Sequence, residues 1–233
     1  MSKVDIDAIV FDVLGTLVDE PAGIRAAIRE LDPKLGASEV DALLALWQQH
    51  IEGEQRRIAE GRRPYAGSDV LDQEAARRVA DAVGAEPASV RKLALSGRRL
   101  PPWPDTVAGL DRLAKRYPVI GLSNASRPSL LELSAGAGLR WHLLLSAEEA
   151  GAYKPDSAVY RLAVDASGLS PERLLMVAAH AWDLRGAQEQ GLRCAYVARP
   201  VGDPPTPDDG FDVYARDLTD LADQLDGGGT LLA

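Results

Sequence analysis

Residues 9–19 read IVFDVLGTLVD, and this stretch decides the fold prediction. An apolar run without strict alternation ends on Asp12, and Gly15 and Thr16 follow where the chain turns. Short runs of this kind are typical of strands that are buried on both faces of a parallel sheet. The sequence therefore predicts a buried strand that places an aspartate at its carboxyl end. The alternative is an aspartate that only caps the next helix.

Five further apolar runs repeat this pattern: YPVIGLSN, HLLLS, RLLMVAAH, RCAYVAR and FDVYA. Helix-length amphipathic segments separate the later runs, at 127–138, 157–167 and 183–190. Alternating strands and helices predict an α/β fold with a Rossmann-like, doubly wound parallel sheet. Reactive groups in such sheets collect at the carboxyl ends of the strands.

One interval breaks the alternation of strands and helices. From about Pro21 to Gly97 the pattern is almost wholly helical, and it is far longer than one crossover connection requires. We therefore expect a helical cap domain at 20–97, inserted after the first strand. The α/β core would then comprise 1–19 and 98–233, and the proline-rich RLPPWP marks the return to it.

The net charge and the apolar segments of the chain indicate which partners and which cell compartment to expect. The 233 residues carry a formal net charge of −9, which argues against a nucleic-acid partner, because phosphate binding requires clustered basic residues. No signal-like N-terminus or membrane-length apolar stretch is present, so a cytoplasmic protein with no membrane partner is expected. The single cysteine, Cys194, lies in an apolar run and is predicted to be a small buried side chain.

Polar side chains follow the other predicted strands. Ser123 and Asn124 end the second run, Lys154 precedes a proline after the third, and His180 and Asp183 follow the fourth. Each has a simpler interpretation: a helix cap, a solvent-exposed lysine, or a structural histidine. Taken together, an acid, an anion-holding pair, a lysine and a second acid at one sheet edge favour nucleophilic catalysis.

The motifs DVLGT, LSNAS, YKPDSAVY and HAWDLRGA resemble those of the haloacid dehalogenase superfamily, and within it the type II L-2-haloacid dehalogenases. The resemblance extends over essentially the whole chain, including the cap. It implies a metal-independent hydrolase, acting on carbon–halide bonds without a cofactor, that converts a short (S)-2-haloacid into the 2-hydroxy acid through an aspartyl ester. Family members are often dimers, so a homodimer is a further expectation.

The resemblance also implies catalytic roles. Asp12 is the nucleophile, and Thr16 steadies its oxygens. Asp183, together with Lys154, positions and deprotonates the hydrolytic water. Tyr160 matches a family tyrosine that supports the lysine, and for that reason it is also expected among the substrate-binding residues.

Substrate contacts follow from the same resemblance. Ser123 and Lys154 are expected to hold the substrate carboxylate, with the main-chain N–H groups of Val13 and Leu14. Asn124 and Trp182 match residues that line the halide cradle.

Three positions depart from the family pattern. Leu14 stands where the superfamily's phosphatases have a second aspartate and where dehalogenases often have an aromatic residue. Gln48 stands where the dehalogenase cap normally supplies a halide-binding arginine, and Arg56 or Arg57 is either its substitute or a solvated surface residue. His180 stands where the haloacid dehalogenases often have asparagine, and it either helps to activate water or only orients its loop.

Three functions besides haloacid dehalogenation stay open. A Mg²⁺-dependent phosphatase would keep Asp12, Ser123, Lys154 and Asp183 but would lack the acid at position 14, and the fourth motif offers one acid where Mg²⁺-dependent members commonly supply two. A hydrolase of another small 2-substituted acid would use the same ester chemistry. A catalytically silent binding module is the possibility from a different class.

Overall fold

The computed structural model describes residues 5–227. Six parallel strands form one sheet in the order β3-β2-β1-β4-β5-β6, which confirms the predicted doubly wound α/β fold. The strands coincide with the six apolar runs: β1 (Ala8–Phe11), β2 (Val119–Ser123), β3 (Leu143–Ser146), β4 (Leu174–Ala178), β5 (Arg193–Val197) and β6 (Val213–Ala215).

The helices lie in two groups along the chain. Four follow β1 directly: α1 (Glu20–Leu31), α2 (Ala37–Ala59), α3 (Ser68–Val83) and α4 (Pro87–Ala94). Five alternate with the later strands: α5 (Thr106–Ala114), α6 (Arg127–Ala137), α7 (Ser157–Ser167), α8 (Ala181–Glu189) and α9 (Leu218–Gly227).

The sheet is buried on both faces, as its apolar runs predict. Successive strand side chains point to opposite faces: Ile9 and Phe11 pack on one side with α5, α6 and α9, whereas Ala8 and Val10 pack on the other with α7 and α8. Cys194 is fully buried on the side of the sheet that packs against α7 and α8. The sheet is therefore the middle layer of three.

Helices α1 to α4 have a hydrophobic core of their own, which includes Ile28, Leu44, Trp47 and Val79. Hydrogen bonds join this unit to the α/β core: Ser68 Oγ accepts from the Ser126 N–H at 2.8 Å, and the Tyr153 hydroxyl donates to the Ala66 carbonyl at 2.7 Å. We propose that residues 20–97 are the inserted cap domain and that 1–19 with 98–233 are the core. Residues 1–4 and 228–233 of this core lie outside the described part of the chain.

Strand β1 occupies a central place in the sheet. Phe11 pairs with Gly121 on β2 and with Val177 on β4, so the residue after it lies between the carboxyl ends of these two neighbours. Loops from three strands therefore meet beside Asp12. Among the helices of residues 5–227, none has both the length and the apolar character that a membrane span requires.

Candidate active site

Asp12 is fixed from two sides at the carboxyl end of β1. Its N–H donates to the Val177 carbonyl on β4 at 3.0 Å, and its Oδ2 accepts from Thr16 Oγ1 at 2.6 Å. The same hydroxyl oxygen accepts from the Ala179 N–H at 2.9 Å, which orients the hydroxyl proton toward the carboxylate. Asp12 does not cap the following helix. Asp19 is the residue that caps it, because its side chain accepts from the Ala22 N–H.

Lys154 links two carboxylates in the centre of the site. Its Nζ lies 3.0 Å from Asp12 Oδ1 and 2.7 Å from Asp183 Oδ2. Tyr160 donates its hydroxyl to Asp183 Oδ1 at 2.7 Å. Lys154 is 5% exposed and Asp183 is fully buried, so the solvent-exposed lysine that the sequence allowed is excluded.

Burial and charge act in opposite directions on this network. Burial disfavours the Lys154 ammonium, but the charges of Asp12 and Asp183 outweigh it and hold the lysine pKa above its ordinary value. Burial raises the pKa of Asp183, although the Lys154 charge opposes that change. The charged ammonium therefore forms an ion pair with Asp12 Oδ1 and fixes the position of the carboxylate, the group that would act as the nucleophile.

The loop after β2 adds Ser123 and Asn124. Ser123 is fully buried, and its Oγ accepts from the Ala125 N–H at 3.2 Å. Asn124 Oδ1 accepts from the Lys154 N–H at 2.9 Å, so this amide holds the lysine's main chain in place. Neither residue caps α6, because Ser126 occupies the cap position and accepts from a main-chain N–H of the first turn. The simple capping interpretation of this pair is therefore wrong.

His180 packs against the turn that follows Asp12. Its Nε2 lies 3.3 Å from the Leu14 carbonyl oxygen, and its ring lies 5.8 Å from the Trp182 ring, centroid to centroid. Gly15 has a φ of +77°, and a Cβ there would be 2.5 Å from His180 Nε2. Both the turn and the close approach of the imidazole therefore require glycine at this position.

A cavity of about 760 Å³ lies between the sheet edge and the cap helices. Its core side presents Asp12, Leu14, Ser123, Asn124, Lys154, His180 and Trp182, and its cap side presents Trp47, Gln48 and Arg56. A concave, largely apolar wall with a few convergent polar groups is typical of small-molecule sites. The arrangement suits attack by Asp12 on a small molecule that is bound in this cavity.

The sequence of residues 6–191 matches the family model of the haloacid dehalogenase-like hydrolases. The chain belongs to this hydrolase family. An (S)-2-haloacid dehalogenase from Pseudomonas putida is 31% identical over 232 residues, which cover 94% of this chain and 98% of that protein. The family assignment made from the four motifs is thereby confirmed.

Solved structures of haloacid dehalogenases superpose on the chain over nearly its whole length. One L-2-haloacid dehalogenase shares 33% identity with a TM-score of 0.86 and covers 95% of this chain and 99% of its own. The L-2-haloacid dehalogenase from Xanthobacter autotrophicus, with chloropropionic acid covalently bound, shares 26% identity with a TM-score of 0.82 over the same shares of the two chains.

Four of the residues that the haloacid dehalogenase motifs indicate do not reach the cavity wall. They lie behind it: Val13, Thr16, Tyr160 and Asp183. Tyr160 was placed among the substrate contacts as a support for the lysine, but its hydroxyl bonds to Asp183 instead. Its fully buried position on α7 makes it a support of the second acid.

The two candidate arginines of the cap separate in the structure. Arg57 Nη1 lies 3.0 Å from Glu54 Oε1 on the same helix. Arg56 lines the cavity on the same face of α2 as Gln48, and it is also exposed to solvent. The surface interpretation is therefore right for Arg57, whereas Arg56 is both exposed and at the site.

Four acidic residues of the cavity lining were not predicted from the sequence: Glu20, Glu52, Asp72 and Asp203. Glu20 begins α1 and Asp72 lies on α3, and both line the cavity. Glu20 looks like an ordinary acid in the first turn of a helix, where acids are favoured. Its place directly after the strand-one motif is the one signal that could have drawn attention to it.

The side chains present do not fit a dedicated Mg²⁺ site. The Lys154 ammonium occupies the space between Asp12 and Asp183, and position 14 carries leucine instead of an oxygen ligand. In residues 5–227 no three His, Cys, Asp or Glu side chains are grouped so that they could hold a metal ion. Mg²⁺ requires several oxygen ligands in near-octahedral geometry.

Proposed function

We propose that the protein hydrolyses a short (S)-2-haloacid to the 2-hydroxy acid through an ester on Asp12, without a metal ion. One observation carries the proposal: the Asp12 carboxylate faces the cavity while Thr16 Oγ1 and Lys154 Nζ hold one oxygen each. The similarity to haloacid dehalogenases over nearly the whole chain supports it. So does the covalently bound chloropropionic acid of the Xanthobacter autotrophicus enzyme.

In the first half-reaction an Asp12 carboxylate oxygen attacks the carbon that carries the halogen. The new C–O bond forms as the carbon–halogen bond breaks, and the electron pair of that bond leaves with the halide. Fixed donors on both carboxylate oxygens hold the nucleophile in one orientation, which lowers the entropy cost of reaching the transition state. A halide is a weak base that departs without a proton, so Leu14 in place of an acid is compatible with this step.

The second half-reaction hydrolyses the ester. Water adds to the Asp12 carboxyl carbon, and we assign the removal of its proton to Asp183 together with Lys154. The raised pKa of Asp183, caused by its burial, makes it a stronger base than an exposed aspartate. The ester C–O bond then breaks, the departing alkoxide takes the second proton of the water, and Asp12 is left as a carboxylate. Asp183 finally releases its proton to solvent.

The substrate carboxylate and halogen are held by the remaining polar groups. We assign the carboxylate to Ser123, Lys154 and the Leu14 N–H group, which line the cavity. Val13, which the family motif also implies, is fully buried and does not reach the cavity. Because Asn124 Oδ1 accepts from the Lys154 N–H, its NH₂ group is the part that can donate to the halogen. Gln48 and Trp182 line the same cavity.

Halide release from L-2-chloropropionate, measured with and without EDTA, tests the proposal. We expect release that is insensitive to EDTA and is abolished in Asp12→Asn. Asp19→Asn is the matched control, because asparagine caps a helix as well as aspartate does, and it should retain activity. Magnesium-stimulated hydrolysis of p-nitrophenyl phosphate without halide release would instead identify a phosphatase.

Two further outcomes would point to a different substrate or to a protein without catalytic activity. Turnover of other 2-substituted acids, with haloacids inert, would leave the ester chemistry in place but move the proposal to a different leaving group. Silence across haloacids and phosphates would indicate a binding module.

Location and assembly rest on the family resemblance alone. We propose a cytoplasmic homodimer. Cell fractionation and light scattering at several protein concentrations test the two statements separately, and a monomer at all concentrations would contradict the second.

A further inference from the structure

Glu20 is a carboxyl group of the catalytic cavity to which the reaction described above gives no role. It is the first residue of α1, where the chain passes from the core into the cap. It is half-buried, and it lines the same cavity as Asp12 and Gln48. In residues 5–227 no hydrogen bond fixes its side-chain oxygens, so the carboxyl is available to a bound substrate.

The surroundings of Glu20 favour its neutral form. Burial raises its pKa to about 7; a charged His180 opposes the rise and the Asp12 carboxylate adds to it. Asp72 also faces it, and the pKa of Asp72 lies well above its ordinary value, through its burial and the nearby charge of Glu20. At neutral pH a large fraction of the Glu20 side chains therefore carry a proton and can donate a hydrogen bond.

A further hydrogen-bond donor in the cavity would stabilise the leaving group. The departing halide gains a full negative charge as the carbon–halogen bond breaks. The cap presents the neutral Gln48 where the family resemblance leads one to expect arginine, and Arg56, which also lines the cavity, is exposed to solvent. An ionised Glu20 would repel this charge, whereas a neutral carboxyl can donate to it, and hydrogen bonds to charged groups are the stronger ones.

We propose that Glu20 is a further catalytic residue, whose protonated carboxyl donates a hydrogen bond to the departing halide. This inference rests on the proposed dehalogenation. The electron pair of the broken bond goes to the halide, the Asp12 oxygen forms the new bond to carbon, and the proton stays on Glu20. The leaving group then receives this hydrogen bond in addition to the one that we assign to the Asn124 amide.

The pH dependence of kcat/KM for L-2-chloropropionate tests this role. In the wild-type protein the value should fall as the pH rises through the Glu20 pKa of about 7, because ionisation removes the donor. Glu20→Gln keeps an N–H donor at every pH, so the alkaline fall should disappear. Glu20→Leu should lower kcat/KM about tenfold or more below that pKa.

The leaving group provides a second readout. Fluoride accepts hydrogen bonds more strongly than bromide, so Glu20→Leu should reduce turnover of 2-fluoropropionate by a larger factor than turnover of 2-bromopropionate. Glu30→Gln, on the exposed side of the same helix, is the matched control and should match the wild type. Asp72→Asn and His180→Gln show whether either neighbour causes the alkaline fall.

The outcomes distinguish this inference from the function on which it rests. Wild-type turnover with an unchanged alkaline limb in Glu20→Gln, or equal losses for both halogens in Glu20→Leu, would overturn the role of Glu20 and leave the dehalogenation intact. If the wild-type protein releases no halide from any haloacid, both proposals fail. Circular dichroism of each variant checks that it is folded.

Discussion

Replacing Lys154 with methionine removes the central positive charge of the site but keeps an unbranched apolar chain there. The Asp12 and Asp183 carboxylates then lose the ammonium that lies 3.0 and 2.7 Å from them. Both are buried, so they cannot exchange the lost partner fully for water. Breaking a buried ion pair from one side costs about 3–5 kcal/mol, and we expect Lys154→Met to lower the free energy of unfolding by that amount at neutral pH.

The pH dependence gives this prediction its sign. Without the lysine, Asp183 loses the positive charge that opposes the rise of its pKa, so burial and the nearby Asp12 charge raise its folded-state pKa further. The pKa of the same acid in the unfolded chain stays at about 4. The folded protein then binds protons more tightly than the unfolded chain, so the destabilisation is complete above the raised folded pKa and vanishes below the unfolded one. Lowering the pH toward about 4 should therefore restore most of the lost stability relative to the wild type.

Urea denaturation of both proteins at several pH values measures this difference. Lys92→Met is the matched control, because Lys92 pairs with Glu30 while both side chains are more than half exposed; its effect should stay within about 0.5 kcal/mol at all pH values. A loss below about 1 kcal/mol for Lys154→Met, or a loss that does not change with pH, would show that the lysine does not compensate the buried charge of its carboxylate partners.

Two more substitutions test the supports of the site. Gly15→Ala should lower both activity and the melting temperature, because its Cβ would meet His180 Nε2 at 2.5 Å. Gly61→Ala reports the backbone strain alone, because Gly61 has a similar φ of +68° and nothing lies within 4 Å of the added carbon. Equal losses of melting temperature in the two variants would exclude the steric reason. Tyr160→Phe removes the hydroxyl donor that lies 2.7 Å from Asp183 Oδ1, so it should lower the free energy of unfolding by about 1–3 kcal/mol. It should also raise the Asp183 pKa and move the acid limb of the pH profile of kcat to higher pH; an acid limb that does not move would contradict this role of Tyr160.

The sequence was most informative where local rules and the topology agree. The apolar run before Asp12 predicted a strand, and a parallel sheet brings the carboxyl ends of neighbouring strands together whatever the details of packing. Lys154 and Asp183 were therefore predictable partners of Asp12. The competing capping interpretations were reasonable for each residue alone, and they are wrong because Asp19 and Ser126 perform that role further along the chain.

The sequence was least informative where the cap meets the core. Glu20 and Asp72 reach the cavity only because α1 and α3 pack above the sheet edge, and no local pattern fixes the angle at which one helical unit docks on another. Arg56 faces the site for the same reason. The bond from Tyr160 to Asp183 depends on how α7 packs against α8, which strand order alone does not determine.

A single turnover in water enriched in the heavy oxygen isotope tests the central claim, the ester on Asp12, most directly. Excess enzyme is mixed with L-2-chloropropionate, and both the product and the peptide that contains Asp12 are analysed by mass spectrometry. If water attacks the Asp12 carboxyl carbon, the heavy oxygen enters the Asp12 side chain and the first molecule of 2-hydroxy acid carries none. Heavy oxygen in that first product, with an unlabelled Asp12 peptide, would mean that water attacks the substrate directly and that no ester forms.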